Sequence, residues 1–153
     1  LRVTKYELRS YDCAPGRWRG GIGSIREITF LENGSFSLEG DGNKYAPWGF
    51  AGGKDGKAGS IAIRYPDGTI QHLPSKIPNM AMEKGSTIIM EGPCGGGYGN
   101  PLERDPQAVY EDYLDDYVQK EDLETDYGVV LSEGDQGVDM EKTRHLRKML
   151  LSK

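Results

Sequence analysis

Glycine constrains this chain more than any other residue, because 22 of its 153 residues are glycine and most of them fall in four tracts. The tracts span residues 16–23, 40–42, 49–59 and 92–99, and they follow no three-residue repeat. Glycine is about twice as frequent here as in an average protein, where it makes up ~7%. Such tracts predict many tight turns between short strands, with backbone packed closely at several points.

Alternation of apolar and polar residues predicts β-structure from Val3 to about Met90. Asn33-Gly34 predicts a hairpin that joins two neighbouring strands, and Tyr65-Pro66-Asp67-Gly68 predicts a second one. Residues 1–91 should therefore form a twisted β-barrel or sandwich. We expect the strands at residues 4–9, 22–31, 35–39, 60–65, 69–73 and 87–90.

The apolar spacing changes to a helical period after residue 104. Asp105 and Pro106 predict the start of an amphipathic helix whose solvent face carries Glu111, Asp112, Asp115 and Asp116. A helical turn at 121–126, a strand at 127–131 and a last helix capped by Asp139 should follow. The expected fold is α+β, mainly β, with short C-terminal helices around a single core. A β-rich glycine-loop domain, 1–104, would carry a helical appendage, 105–153, packed on the same domain.

Composition excludes two classes of partner. The mean hydropathy is −0.64 and no apolar run approaches the ~20 residues of a membrane span, so no membrane segment is expected. A net charge of −5 argues against nucleic acid as the main partner. Two cysteines without a C-x-x-C motif favour a cytoplasmic protein, although the sequence leaves open whether Cys13 and Cys94 approach each other. The start, which has no apolar signal region and no Met, indicates a piece of a longer chain.

The residues offer few candidates for catalysis. His72 and His145 fall on different predicted elements: His72 is expected on a hairpin and His145 on an exposed helix face. The run from Ala51 to Ala58 resembles a phosphate-binding loop, but it lacks the first glycine and the hydroxyl residue after Lys57. Residues 111–126 hold eight acids against one base, which indicates either a solvated helix face or a docking surface for partner subunits.

Two glycine-rich loops are candidate ligand or interface sites. Arg17, Trp18 and Arg19 could capture an anion or stack on a ligand; alternatively, Trp18 plugs the end of the barrel and the arginines pair with acids. The Gly95-Gly96-Gly97-Tyr98 loop could form an anion nest, or its glycines could allow another backbone to pack closely, as in a subunit contact. We expect the Gly95–Pro101 loop to pack against a partner subunit or the N-terminal portion of the parent chain.

Four motifs occur in order over nearly the whole chain. They are Gly16-Arg17-Trp18-Arg19-Gly20-Gly21-Ile22-Gly23, Pro47-Trp48-Gly49-Phe50-Ala51-Gly52-Gly53, Gly95-Gly96-Gly97-Tyr98-Gly99-Asn100-Pro101-Leu102-Glu103-Arg104-Asp105-Pro106, and Tyr127-Gly128-Val129-Val130 with a following Val138-Asp139 and a Thr143/Arg147 helix. Taken together, these motifs resemble the C-terminal region of the hydantoinase B/oxoprolinase family. Cys94 stands where the family commonly has a further glycine.

The resemblance implies the C-terminal part of the B-type subunit of an ATP-dependent hydantoinase or 5-oxoprolinase-like hydrolase, which opens cyclic amides through a phosphorylated intermediate. The equivalent part of an acetone or acetophenone carboxylase subunit and a noncatalytic interaction module are the alternatives. The resemblance further implies two partners, an A-type ATP-binding subunit and the N-terminal portion of the B-type subunit. ATP with Mg²⁺ or Mn²⁺ is expected in the full complex, with no cofactor bound by this fragment, which by itself should be inactive.

Overall fold

The computed structural model describes residues 1–152, which form seven strands and three α-helices. The predicted α+β fold with mainly β-structure is confirmed, and the α-helices begin at Pro106, after one 3₁₀ turn at Pro101–Glu103. A second 3₁₀ turn covers Glu133–Asp135. The elements are β1 (Arg2–Leu8), β2 (Ser24–Thr29), β3 (Gly34–Glu39), β4 (Ser60–Arg64), β5 (Ile70–His72), β6 (Lys76–Met82), β7 (Thr87–Glu91), α1 (Pro106–Leu114), α2 (Lys120–Thr125) and α3 (Met140–Leu151).

The strands form two antiparallel sheets. One sheet has five strands in the order β1-β2-β7-β4-β5, and the other pairs β3 with β6. Within residues 1–152 the outer strands β1 and β5 do not pair with each other, so the arrangement is sandwich-like and not a closed barrel. The β4–β5 hairpin at Tyr65–Gly68 is confirmed. The hairpin predicted at Asn33-Gly34 is wrong, because β2 pairs with β1 and β7 while β3 crosses to β6.

Two hydrophobic clusters, and not the single core expected, hold the chain together. The first lies between the sheets, where Met82 of β6 packs on Ile63 and Ile88 of the large sheet. The second is helical and contains Val109, Val118, Leu123, Tyr127 and Val129, all at most 2% exposed. Its α1 and α3 begin as predicted, with Asp105 and Asp139 accepting backbone N–H bonds at 3.0 Å.

The strand predicted at 127–131 is wrong, since only Leu131 forms a bridge, to Val138. Its backbone is satisfied by other groups: Val130 donates its N–H to the Thr143 hydroxyl at 3.0 Å, and Val129 donates to Leu123. Tyr127 lies in the turn after α2 and Gly128 has a positive φ of 58°, so the segment does not continue as a strand. Within residues 1–152, no helix combines the length and apolarity that crossing a bilayer requires.

Candidate functional site

Three glycine-rich segments cross the middle of the molecule and pack backbone against backbone. We call residues 14–23, 47–59 and 92–99 the three glycine segments. A Cβ added at Gly20 would lie 1.9 Å from the Gly95 carbonyl oxygen, and one added at Gly53 would lie 2.1 Å from the Gly97 oxygen. A Cβ added at Gly96 would lie 2.0 Å from the Trp48 oxygen. Only glycine fits at these contacts, because real Cβ atoms do not approach other atoms so closely.

Backbone hydrogen bonds join the three glycine segments in place of an ordinary sheet. Each segment bonds to both of the others. The bonds include Trp18 N–H to Tyr98 O, Tyr98 N–H to Trp18 O, Gly95 N–H to Gly21 O, Phe50 N–H to Gly97 O, Gly97 N–H to Lys54 O, Gly99 N–H to Phe50 O, Cys94 N–H to Lys57 O and Lys54 N–H to Pro15 O, at 2.8–2.9 Å.

These bonds settle two interpretations of the Gly95–Tyr98 loop. The amides of Gly95, Gly97 and Tyr98 already donate to carbonyls of this chain, so they cannot form an anion nest. Gly95, Gly96 and Gly97 also face backbone of this chain, so the expectation that their small size admits a partner is corrected. The side chain of Tyr98 is different, because it is 53% exposed and remains open to a partner.

Arg19 and Arg104 converge on Asp112, which is only 7% exposed. Arg19 Nε donates to Oδ1 at 2.9 Å and Arg104 Nη2 donates to Oδ2 at 2.8 Å. The guanidinium of Arg19 also lies 4.5 Å from the centre of the Tyr117 ring. Arg19 is therefore held by this chain's own groups, as in the ion-pairing alternative. The placement of Asp112 on the solvent face of the helix is wrong, because the two arginines draw it inward.

Arg17 and Trp18 point away from this network. Arg17 is an exposed side chain whose guanidinium lies 3.7 Å from Glu103. Trp18 is 64% exposed, so the prediction that it plugs a barrel end is wrong. Its backbone is fixed by the bonds to Tyr98, while its indole extends outward from the segment. Both side chains remain available to a ligand or partner.

Trp18, Tyr98 and Phe50 form one exposed patch, which we call the aromatic surface. The backbone of Tyr98 forms an isolated β-bridge with that of Trp18 and another with that of Phe50. The Phe50 and Tyr98 rings stack with their centroids 5.9 Å apart. Phe50 is 65% exposed, and Trp48, two residues earlier, is 78% exposed. Sequence reasoning missed Phe50, although the Trp48-Gly49-Phe50 spacing places two aromatics on one side of an extended chain.

A cleft of about 320 Å³ lies between the first two glycine segments and the helices. Its polar lining includes Asp12, Asp55, Asp122 and Asp126. Burial and the neighbouring carboxylates of Asp126 and Glu121 raise the pKa of Asp122. Lys54 pairs with Asp126 and Lys57 pairs with Asp12, so both lysines of the run that resembles a phosphate loop are engaged. No group of three or more His, Cys, Asp or Glu within residues 1–152 is placed to hold a metal ion.

As predicted, His72 lies on the β4–β5 hairpin and His145 is exposed on a helix, α3. The side chain of His72 is exposed as well. Cys13 and Cys94 are free thiols. Burial raises the pKa of the Cys13 thiol, which receives a hydrogen bond from Arg19 at 3.3 Å. Cys94 is fully buried, and its sulfur accepts from the Gly23 N–H at 3.3 Å. Both thiols thus serve the packing of the glycine segments.

The fold and site define a glycine-packed β unit with a helical end, and solved structures contain the same unit. The chain superposes on nucleotide-free acetone carboxylase with a TM-score of 0.73 at 20% identity, covering 98% of this chain and 24% of that one. It superposes on the ATP-dependent caprolactamase of Pseudomonas jessenii with a TM-score of 0.69 at 25% identity, covering 95% of this chain and 26% of that one. The 20% likeness concerns the fold alone.

Sequence comparison identifies the family. The family model for hydantoinase B/oxoprolinase matches residues 1–101. The chain is 57% identical, over 97% of its length, to a protein of Pseudomonas sp. (strain NS671) that is provisionally named as the B-type subunit of a D-/L-hydantoinase. It spans 25% of that relative. This chain belongs to the hydantoinase B/oxoprolinase family.

Proposed function

We propose that this chain is the C-terminal part of the B-type subunit of an ATP-dependent hydantoinase or 5-oxoprolinase-like hydrolase. Identity of 57% across 97% of the chain to a protein provisionally named as a B-type hydantoinase subunit carries the proposal. The reaction proposed for the whole assembly is hydrolysis of a cyclic amide through a phosphorylated intermediate, in the cytoplasm. The free thiols of Cys13 and Cys94 are compatible with that reducing compartment.

Within the assembly this chain supplies a scaffold and subunit contacts. Among the candidate residues, Gly95, Gly96, Gly97 and Arg19 are engaged inside the fold and form the scaffold. Arg17, Trp18 and Tyr98 have exposed side chains and supply the contacts. The partners are an A-type ATP-binding subunit and the N-terminal portion of the B-type subunit.

ATP and its Mg²⁺ or Mn²⁺ belong to the rest of the assembly in this proposal. The residues of this chain do not fit either group, because Lys54 and Lys57 are engaged by Asp126 and Asp12. No metal-ligating cluster is present in the part of the chain that the structure describes. In this proposal residues 1–152 carry out no step of the reaction, and we expect the isolated chain to turn over neither ATP nor a hydantoin.

We propose hydrolysis of a cyclic amide as the reaction, in preference to carboxylation of a ketone, because the relatives of higher identity have names of cyclic-amide hydrolases. The 57% identical relative is provisionally named as part of a hydantoinase, and the caprolactamase structure matches at 25% identity. Hydantoin and caprolactam are both cyclic amides. Acetone carboxylase is 20% identical, and that likeness reports the fold and not the reaction.

The test is a chimeric protein in which this chain replaces the matching region of the B-type hydantoinase subunit of Pseudomonas. The chimera is co-expressed with the A-type subunit and supplied with a hydantoin, caprolactam, or acetone with bicarbonate, each with and without ATP. ATP-dependent ring opening of a cyclic amide supports the proposal. Consumption of acetone and bicarbonate, with no ring opening by an assembled complex, contradicts it.

A further inference from the structure

The aromatic surface exposes far more apolar area than its role inside the fold requires. Trp18, Phe50 and Tyr98 are 64%, 65% and 53% exposed, although they stand on a backbone that is itself tightly packed. Aromatic rings supply large contact areas and are enriched in the buried centres of protein interfaces. Three neighbouring rings of this kind mark an interaction surface and not isolated surface residues.

The backbone that carries the three rings is fixed by hydrogen bonds, so the rings are preorganised for binding. The backbone of Trp18 and Tyr98 exchanges two hydrogen bonds of 2.9 Å, and the Phe50 N–H and carbonyl bond to Gly97 and Gly99 at 2.9 Å. Phe50 and Tyr98 also stack on each other. Little backbone freedom remains to be lost when a partner covers the rings, so contact area converts into affinity with a smaller entropic cost.

We propose that the aromatic surface is the docking site for the remaining portion of the same B-type polypeptide. The inference rests on the proposed function. In the hydantoinase, caprolactamase and acetone carboxylase proteins, this unit makes up only 24–26% of one longer chain. The rest of that chain is the neighbour common to all three, whatever each protein acts on. An apolar surface on that portion is therefore the occupant that fits the three rings.

The experiment measures binding of the 153-residue chain to the B-type hydantoinase subunit of Pseudomonas from which the matching region has been removed. Trp18→Ser and Phe50→Ser are compared with Tyr6→Ser, which removes an equally exposed ring, 66%, from β1 outside the glycine segments. We expect the first two variants to weaken Kd at least tenfold and Tyr6→Ser to change it less than threefold. Thermal melts should show all three folded, because each side chain is largely exposed.

Unchanged binding by Trp18→Ser and Phe50→Ser overturns the docking site. An equal loss of affinity in all three variants also overturns it. So does the result that Trp18→Ser and Phe50→Ser weaken binding only to the A-type subunit or to a second copy of this chain. The two proposals fail separately. A chimera that opens hydantoins despite unaltered binding by the variants refutes the docking site alone. An assembled chimera that depends on Trp18 for assembly but opens no cyclic amide refutes the proposed function alone.

Discussion

At Gly20, Gly53 and Gly96, the absence of a side chain determines the fold. Each would place a Cβ within 2.1 Å of a carbonyl oxygen on a neighbouring segment. Conformational freedom is not the reason for glycine there, since none of the three has a positive φ. Gly21 directly follows Gly20, yet a Cβ added at Gly21 would have no atom within 4 Å. Neighbouring glycines of one tract thus have different roles.

Gly96→Ala should lower the free energy of unfolding by about 3 kcal/mol, because the new methyl group forces the Trp48 backbone away. Gly21→Ala is the matched control and should be neutral or slightly stabilising, since alanine restricts the unfolded chain without a clash. Urea unfolding of both variants checks the pair. Equal losses in the two variants would show that the tracts need glycine for flexibility and not for close packing.

Asp112 is a second residue whose role depends on distant partners. Its carboxylate forms ion pairs with Arg19 of the first glycine segment and with Arg104 of the loop before α1. Replacing it with alanine leaves two largely buried guanidinium groups without a counter-charge.

Asp112→Ala should therefore cost about 3–5 kcal/mol of stability. Glu32→Ala removes one partner of the exposed Lys84–Glu32 pair and should cost no more than about 1 kcal/mol. Chemical denaturation at neutral pH compares the two variants. Similar losses in both would mean that Asp112 contributes no more than a surface ion pair.

Among the elements, α3 depends on the residue that caps its start, Asp139. The Asp139 carboxylate accepts the Lys142 N–H, and this backbone hydrogen bond lowers the pKa of Asp139 below its ordinary value of 3.8. A lowered folded-state pKa means that this contribution to stability is complete above 3.8. It is lost as the pH falls through the lower value of the folded state.

Asp139→Ala should accordingly lower Tm at pH 7, with a difference from the parent that shrinks as the pH falls below 3.8. Asp139→Asn keeps a side-chain oxygen that accepts the cap hydrogen bond but does not titrate. Its Tm should therefore stay near that of the parent at pH 7 and fall less as the pH is lowered. Melts from pH 7 to pH 2 test this. A pH-independent difference between Asp139→Ala and the parent contradicts the assignment.

Elements with local signals could be predicted from the sequence. The Tyr65–Gly68 hairpin and the helix starts at Asp105 and Asp139 depend on residues only a few positions apart. The Asn33-Gly34 hairpin failed because its signal is equally local, whereas the pairing of β3 with β6 is decided by burial between the sheets. Likewise the 127–131 segment has strand composition but no strand to pair with.

At the scale of the whole molecule, the three glycine segments lie between the β cluster and the helical cluster. Arg19 and Lys54 connect them to the helical end through Asp112 and Asp126. The sequence could indicate that Trp18 and Tyr98 belong to a site, since both stand in glycine tracts. It could not place Phe50 beside Tyr98, because these residues belong to two segments far apart in the sequence that must first pack together.

The proposed role of this glycine-packed unit is that of the C-terminal part of a B-type hydantoinase subunit. Its most direct test is the rate of ATP-dependent hydantoin ring opening by the chimeric protein assembled with the A-type subunit, relative to the parent assembly. We predict an assembly of the same size as the parent, with a rate within about tenfold of it, since this chain is 57% identical to the region that it replaces. An assembly of the right size that opens no hydantoin in the presence of ATP would contradict the claim.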